Sequence, residues 1–251
     1  MIKMENVHLY YPLMGLKSHS FQIAVYNKLG GIIGKKNDSS VQYVHALRGI
    51  NLEVKRGERL GIMGHNGAGK TTLLRVLAGV YPPSSGKVII NGKVTALTDF
   101  TLGMDPNVSG LENIILRLIF MGYSYKEAKK AVNDIVEFSE LGDFIHFPVR
   151  TYSTGMFMRL AFAISTHFIP EILLLDEVVG AGDESFRTKV LKRIDELLSG
   201  AKIVILSSHD LAAIEKYCTS AIVMDHGSIV FQGSPSDAVK YYREMCSKAN
   251  E

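Results

Sequence analysis

Two hydrophobic periods alternate along this chain. The run ENVHLYY (5–11) alternates apolar and polar positions and is partly β-branched or aromatic, so it predicts a first strand. ALRGINLEV and ERLGIMG (58–64) also read as strands, the second short and apolar in the manner of a buried one. GKTTLLRVLAGV (69–80) has helical spacing, and the Pro-Pro and Ser-Ser-Gly signals of VYPPSSGKVIING mark a turn into another strand. From about 108 to 168 the period stays helical, through NVSGLENIILRLIFMG, SYKEAKKAVNDIVEFSEL and STGMFMRLAFAIST. EILLLDEV then returns to a buried strand, ESFRTKVLKRIDELL is an amphipathic helix, KIVILSSH a strand and DLAAIEKYC a helix. AIVMDHGSIVFQG predicts a hairpin around His226-Gly227, and SDAVKYYREM a terminal helix. The expected fold class is α/β with a helical insertion. The stretch 12–44 reads as long and irregular, with the apolar SFQIAVYNKLGGIIG and the turn-rich GKKNDSS inside it.

Composition narrows the function classes. At 251 residues the chain can bury a sizeable core, as one large domain or a domain with a subdomain. A net charge of +3, from 28 Lys and Arg against 25 Asp and Glu, argues against nucleic acid as the default partner. Cys218 and Cys246 lie too far apart for a metal clip, and so few thiols point to a reducing compartment. No apolar stretch approaches the roughly 18–20 residues of a spanning helix, and the N-terminus, with Glu5, is a poor secretory signal. The expectation is a soluble chain whose membrane role, if it has one, comes through a partner.

The candidate chemistry begins with Gly64-His65-Asn66-Gly67-Ala68-Gly69-Lys70-Thr71, followed by Thr72. This fits G-x-x-x-x-G-K-[ST] between an apolar strand and a helix, the context that separates a phosphate loop from an incidental glycine-rich turn. Glycines let backbone N–H groups turn inward around anionic oxygens, and the helix N-terminus adds a favourable dipole. Lys70 would reach the β- and γ-phosphates, and Thr71 would ligate Mg²⁺. Carboxylates to match should end another buried strand, and Ile172-Leu173-Leu174-Leu175-Asp176-Glu177 supplies them. Asp176 would hold Mg²⁺ through its water shell, and Glu177 would orient the attacking water, as a general base or a positioning group. His209, at the end of KIVILSS, reads as a sensor of the γ-phosphate. ATP and Mg²⁺ are the implied ligands.

In order along the chain, the phosphate loop, the helical block, Tyr152-Ser153-Thr154-Gly155-Met156, the apolar-Asp-Glu strand and the strand-His resemble the nucleotide-binding domain of ABC (ATP-binding cassette) proteins. The resemblance covers nearly the whole chain, so 1–251 is expected to be a single P-loop ABC-type ATPase core. It would carry an antiparallel β part, an insertion at 12–44, a helical subdomain at 108–168 and a C-terminal helix at 235–251. The family's signature, of Leu-Ser-Gly-Gly-Gln type, aligns here with Tyr152 to Met156, keeping Ser153 and Gly155 but replacing a glycine by Thr154 and a glutamine by Met156. Gly180-Ala181-Gly182-Asp183 matches the D-loop, with Asp183 at its acid. Asp99 aligns at or near the glutamine of the family's Q-loop, a metal-linked coupling position. Tyr11 matches the aromatic that stacks on adenine, with Tyr10 and Tyr43 as rivals.

The long 12–44 segment, the Tyr-Ser-Thr-Gly-Met signature and the Gly-Met-Asp-Pro loop followed by Ser-Gly-Leu-Glu-Asn are similar to the ATPase subunits that export lipid-linked polysaccharides. O-antigen, capsule and teichoic acid exporters are of this kind, and the resemblance implies a member without a C-terminal carbohydrate-binding domain. It implies a head-to-tail homodimer, permease subunits in the membrane, a glycan handled through them, no nucleic acid, and a peripheral place on the cytoplasmic face of the inner membrane. A transporter of a lipid, drug or nutrient would share every catalytic residue. GTPase signatures of D-x-x-G and N-K-x-D type are missing: Asn27-Lys28 is followed by Leu29-Gly30. Segment 12–44 would either pack on the domain or lie against the partner or the lipid surface.

Overall fold

The structure is a computed structural model and describes residues 1–13, 33–35, 42–97, 100, 102–176 and 184–248. In chain order the strands are β1 (Ile2–Leu13), β2 (Ile33–Lys35), β3 (Gln42–Val54), β4 (Arg59–Met63), β5 (Ser85–Ile90) and β6 (Val94–Leu97). They continue with β7 (Ile172–Asp176), β8 (Ile203–Ser207), β9 (Ser220–Asp225) and β10 (Ser228–Gly233). The α-helices are α1 (Lys70–Leu77), α2 (Gly110–Phe120), α3 (Tyr125–Ser139), α4 (Thr154–Thr166), α5 (Glu184–Gly200), α6 (Leu211–Tyr217) and α7 (Pro235–Lys248). Two compact units result: Met1–Lys93 with Leu174–Glu177 and Lys202–Glu251, and Val94–Leu173 with Val178–Ala201.

The first unit contains an antiparallel sheet of order β2-β3-β1-β5. Ile2, Met4, Val7 and Leu9 of β1 are buried and oppose Val54, Leu52, Ile50 and Leu47 of β3. Asn6 interrupts that register with φ 46, and its N–H donates to Asn51 Oδ1 at 2.9 Å. The kink brings Asn6 O so close to β5 that a Cβ on Gly86 would lie 2.2 Å from it. A bulge on one strand thereby demands a glycine on its neighbour.

Parallel pairing dominates the other sheet of this unit. β4 lies between β8 and β9 and pairs parallel with both, and β7 lies beyond β8. β4, β7, β8 and β9 are buried along almost their whole length, which is why they read as apolar runs and not as alternation. Gly61 in β4 makes room for α6: a Cβ there would lie 2.8 Å from Ile214 and 3.2 Å from the Cys218 sulfur.

The second unit is a helical cluster with its own core, including Ile114, Leu118, Ala131, Ile135, Leu160 and Ile164. Its helices are fixed locally: α2 and α3 each open on a reciprocal capping box, Ser109 with Glu112 and Ser124 with Glu127. The buried Asn113 amide donates to the carbonyls of Asp105, Val108 and Ser109 and accepts from Asp105 N, closing the Gly-Met-Asp-Pro loop onto α2. Gly110 lies against its neighbours, and a Cβ there would displace the Tyr152 hydroxyl, 2.4 Å away, and the Ile145 side chain, 2.8 Å away. The Ser-Gly-Leu-Glu-Asn motif is therefore a structural joint. Phe186 of α5 packs with Phe138 and Phe162, so α5 shares this core although it lies outside the 108–168 block.

Three readings of the chain change. The helix expected over 69–80 stops at Leu77, because Gly79 turns left-handed with φ +74. The irregular 12–44 stretch begins with the end of β1, ends with the start of β3, and contains β2, which pairs with β3 at Ile33↔Val44. β6 carried no recognised signal, being only four residues long.

Candidate functional site

The site grows from the turn between β4 and α1. Gly64, Gly67 and Gly69 have φ of +153, +85 and +104, but they are glycine for different reasons. A Cβ on Gly64 would lie 2.4 Å from Met224 O of β9, so there the backbone approach is the constraint. Gly67 faces open space, and only its left-handed backbone requires glycine. Gly69 combines the two, with Ala46 O at 3.1 Å. The loop is tied down by Gly227 N–H donating to Ala68 O at 2.9 Å and Ala68 N–H to His65 O at 3.1 Å.

Lys70 is buried at 8% exposure, and its ammonium donates to Gly64 O at 2.6 Å and His65 O at 3.1 Å. A cation held over a ring of loop backbone is arranged for polyphosphate, whose oxygens compete for the same donors. Thr71 Oγ1 donates to Asp176 Oδ2 at 2.8 Å, joining α1 to the end of β7. A hydroxyl and a carboxylate converging in this way are oxygen ligands of the hard type that Mg²⁺ takes, so the residues fit that ion. Glu177, Asp183 and Asp99 lie outside the described residues.

His209 follows β8 and is exposed, with Ser208 Oγ accepting from Asp210 N–H at 3.0 Å beside it. Next to it, Ser207 Oγ is the buried side-chain polar atom that lacks a hydrogen-bond partner among the described residues. Tyr11 is half-buried and edge-on to Tyr81 at 5.3 Å, and its hydroxyl bonds to Thr72. Burial raises its phenol above the usual value, against the lowering effect of that hydrogen bond. Tyr10 is 42% exposed and stacks on His45 at 4.2 Å, so the two adjacent tyrosines are placed very differently.

Ser153 and Gly155 belong to the second unit. Ser153 caps α4, its Oγ accepting from Met156 N–H at 3.2 Å. A Cβ on Gly155 would meet only Ser153 Oγ, at 3.9 Å, and its backbone is ordinary helix. Among the described residues nothing requires glycine there. Arg159, one turn further, pairs with Glu140 at 3.3 Å, and Lys189 of α5 bonds the same carboxylate.

Sequence reasoning did not anticipate two partnerships. Asp225 and His226, at the β9–β10 turn, reach the phosphate loop through His65 Nε2 at 2.7 Å from Asp225 Oδ1. Tyr81 was likewise silent as a partner of Tyr11. The hairpin itself carried a local turn signal, whereas pairing across 160 positions leaves none in a single sequence.

The sequence model described as "ABC transporter" matches residues 47–180. The chain is 44% identical over 226 residues to the O-antigen export system ATP-binding protein RfbE of Yersinia enterocolitica, covering 90% of this chain and 94% of that protein. It is 43% identical to RfbB of Myxococcus xanthus, an O-antigen export system ATP-binding protein, over 86% of this chain but 49% of the relative. It is 36% identical to the teichoic acids export ATP-binding protein TagH of Bacillus cereus over 100% of this chain and 44% of that relative. The chain thus spans about half the length of these last two. Among solved structures, the dimeric post-hydrolysis ATP-binding cassette MJ0796 bound to ADP and Pi superposes with a TM-score of 0.66 at 23% identity, covering 94% of this chain and 99% of that one. Phosphate loop, paired Thr71 and Asp176, and these similarities together lead to one assignment: the chain belongs to the ABC transporter family, as its ATPase cassette.

Proposed function

We propose that this chain hydrolyses ATP to drive export of a lipid-linked polysaccharide, through a head-to-tail pair of cassettes docked on membrane permease subunits. The observation that carries the ATPase part is the Thr71–Asp176 pair at 2.8 Å beside a glycine-lined loop that holds Lys70. The names of RfbE, RfbB and TagH favour O-antigen or teichoic acid glycans over a lipid, drug or nutrient.

In this reading Lys70 leaves the loop carbonyls for the β- and γ-phosphates, and the N–H groups of 65–72 cradle the same oxygens. Thr71 and Asp176 would hold Mg²⁺, which when bound would supply charge neutralisation at those phosphates. Glu177 orients the attacking water, and His209 holds the γ-phosphate and that water in register. Tyr11, or its neighbour Tyr10, stacks on the adenine. Ser153 and Gly155 of a second copy add a hydroxyl, backbone N–H groups and a helix N-terminus at the γ-phosphate. Asp183 lines the contact between the copies, and Asp99 links the site to the permease. Gly155 supports this arrangement because its missing side chain is not explained by any of the described residues.

Among the described residues no helix is long and apolar enough to cross a membrane. Leu116, Ile119 and Phe120 on α2 stand 44%, 44% and 60% exposed, an apolar face suited to a membrane subunit. Cells lacking this chain should retain lipid-linked glycan on the inner leaflet and lose it from the surface. The wild-type chain should restore surface glycan and the Glu177→Gln chain should not. Surface glycan that is unchanged by the deletion would refute the export assignment.

A further inference from the structure

The side chains of His65, Asp225 and His226 form a cluster that the reaction described above does not use, since His65 enters it only through its backbone. Each offers one ligand atom, and these atoms lie within 4.8 Å of one another. His65 comes from the phosphate loop, while Asp225 ends β9 and His226 opens the turn to β10. That turn is fixed: His226 and Gly227 have φ of 44 and 81, the left-handed pair of a tight hairpin. A Cβ on Gly227 would lie 2.5 Å from Ala46 O, so the hairpin tip is pinned against β3. The ligand atoms are thus presented by backbone that cannot easily move.

The hydrogen bonds of a singly protonated His65 leave one nitrogen without a proton to share, a place for a cation or a second proton. Nδ1 lies 2.7 Å from Asn66 O, and Nε2 lies 2.7 Å from Asp225 Oδ1. A carbonyl and a carboxylate only accept, so a neutral imidazole with one proton leaves one nitrogen facing an acceptor lone pair to lone pair. With the proton on Nδ1, held by the Asn66 carbonyl, Nε2 is the open ligand, in the orientation metal-binding histidines take from such a second bond. His226 Nδ1 adds a third atom at 2.6 Å from the same Asp225 oxygen.

We propose that His65 Nε2, an Asp225 carboxylate oxygen and His226 Nδ1 bind a divalent transition cation of the zinc class, with water completing the shell. Two imidazole nitrogens and a carboxylate are a ligand set this class takes, whereas Mg²⁺ prefers oxygen. Tetrahedral ligands about 2.1 Å from the ion stand about 3.4 Å apart, so the two short contacts must open by less than an ångström. The three side chains are 36%, 34% and 43% exposed, which allows entry from solvent. Burial would raise the Asp225 carboxyl, but the hydrogen bonds from His65 and His226 outweigh it and hold it below the usual value, ionised as a ligand must be. The consequence is a clamp on the phosphate loop, since the His65 carbonyl also receives Lys70.

The test is a Co²⁺ and Zn²⁺ titration of the tag-free whole chain at pH 7.5 without nucleotide or Mg²⁺. One equivalent of Co²⁺ should bind with visible d–d absorption, and equimolar Zn²⁺ should displace it. His226→Asn, which suits the left-handed backbone and removes the imidazole, should weaken binding at least tenfold with an unchanged melting temperature. Asp225→Asn should do the same. His45→Asn and the Cys218→Ser, Cys246→Ser double variant should bind as the wild type does. Absence of binding by the wild type, meaning that a second proton alone satisfies His65, overturns the proposal. So does undiminished binding by His226→Asn.

Discussion

Adjacent residues in the phosphate loop stand in opposite environments, and their substitutions should fail differently. Lys70 is buried over loop carbonyls, whereas Thr71 is exposed and holds Asp176 through one hydroxyl. Thr71→Ala should lower kcat by about 10²-fold, as expected when one polar contact to a transferring phosphoryl group is removed. Its melting temperature should scarcely change, because the lost hydrogen bond is solvent-exposed and is worth about 1 kcal/mol at most. Phosphate release at saturating ATP and thermal unfolding measure the two. A second residue-scale expectation concerns Cys218, whose thiol burial pushes up to about 12. At pH 8 roughly one molecule in 10⁴ then carries the thiolate, so alkylation should run about 10³-fold slower than for an ordinary thiol. Peptide mapping after iodoacetamide treatment reads this directly. Rapid labelling of Cys218 in the folded chain would contradict the packing of α6 on β4.

Elements were legible in the sequence where their cause is local. The His226-Gly227 hairpin, the strand–loop–helix around Lys70 and the capped helices of 108–168 all announce themselves within a few residues. The four-residue β6, the three-residue β2 and the docking of α5 on Phe138 and Phe162 do not, because each depends on partners distant in sequence. The same distinction governs stability. Ser109→Ala removes a local cap from α2 and should cost about 1 kcal/mol. Gly227→Ala forces a left-handed alanine whose Cβ meets Ala46 O at 2.5 Å, and should cost about 2–3 kcal/mol or more. For a chain of this size the second change should lower the melting temperature by about 5–10 °C, clearly more than the first. Calorimetry on the two variants compares them. A larger loss for Ser109→Ala would mean that the hairpin tip is not pinned to β3 as its geometry indicates.

At the scale of the whole molecule, the candidate site groups Lys70, Thr71 and Asp176 were readable because phosphate and magnesium chemistry restricts both residue type and spacing. Ser153 and Gly155 were readable only through resemblance, since in isolation they form a serine-capped helix start with no chemistry of its own. The structure sharpens that contrast. Glycines of the phosphate loop are explained by left-handed backbone or close approach, yet Gly155 has neither, and an alanine would fit against Ser153 Oγ at 3.9 Å. If the space above Gly155 is reserved for the nucleotide of a second copy, Gly155→Ala should leave folding and ATP binding by the single chain intact while preventing association. Glu177→Gln supplies the background for the measurement, because slowing hydrolysis keeps ATP in place. Sedimentation of Glu177→Gln with ATP should show a dimer, and Glu177→Gln with Gly155→Ala should remain monomeric at the same protein concentration and nucleotide occupancy. A double variant that dimerises as readily as the single one would remove Gly155 from the paired site. The signature turn would then be a helix cap and nothing more.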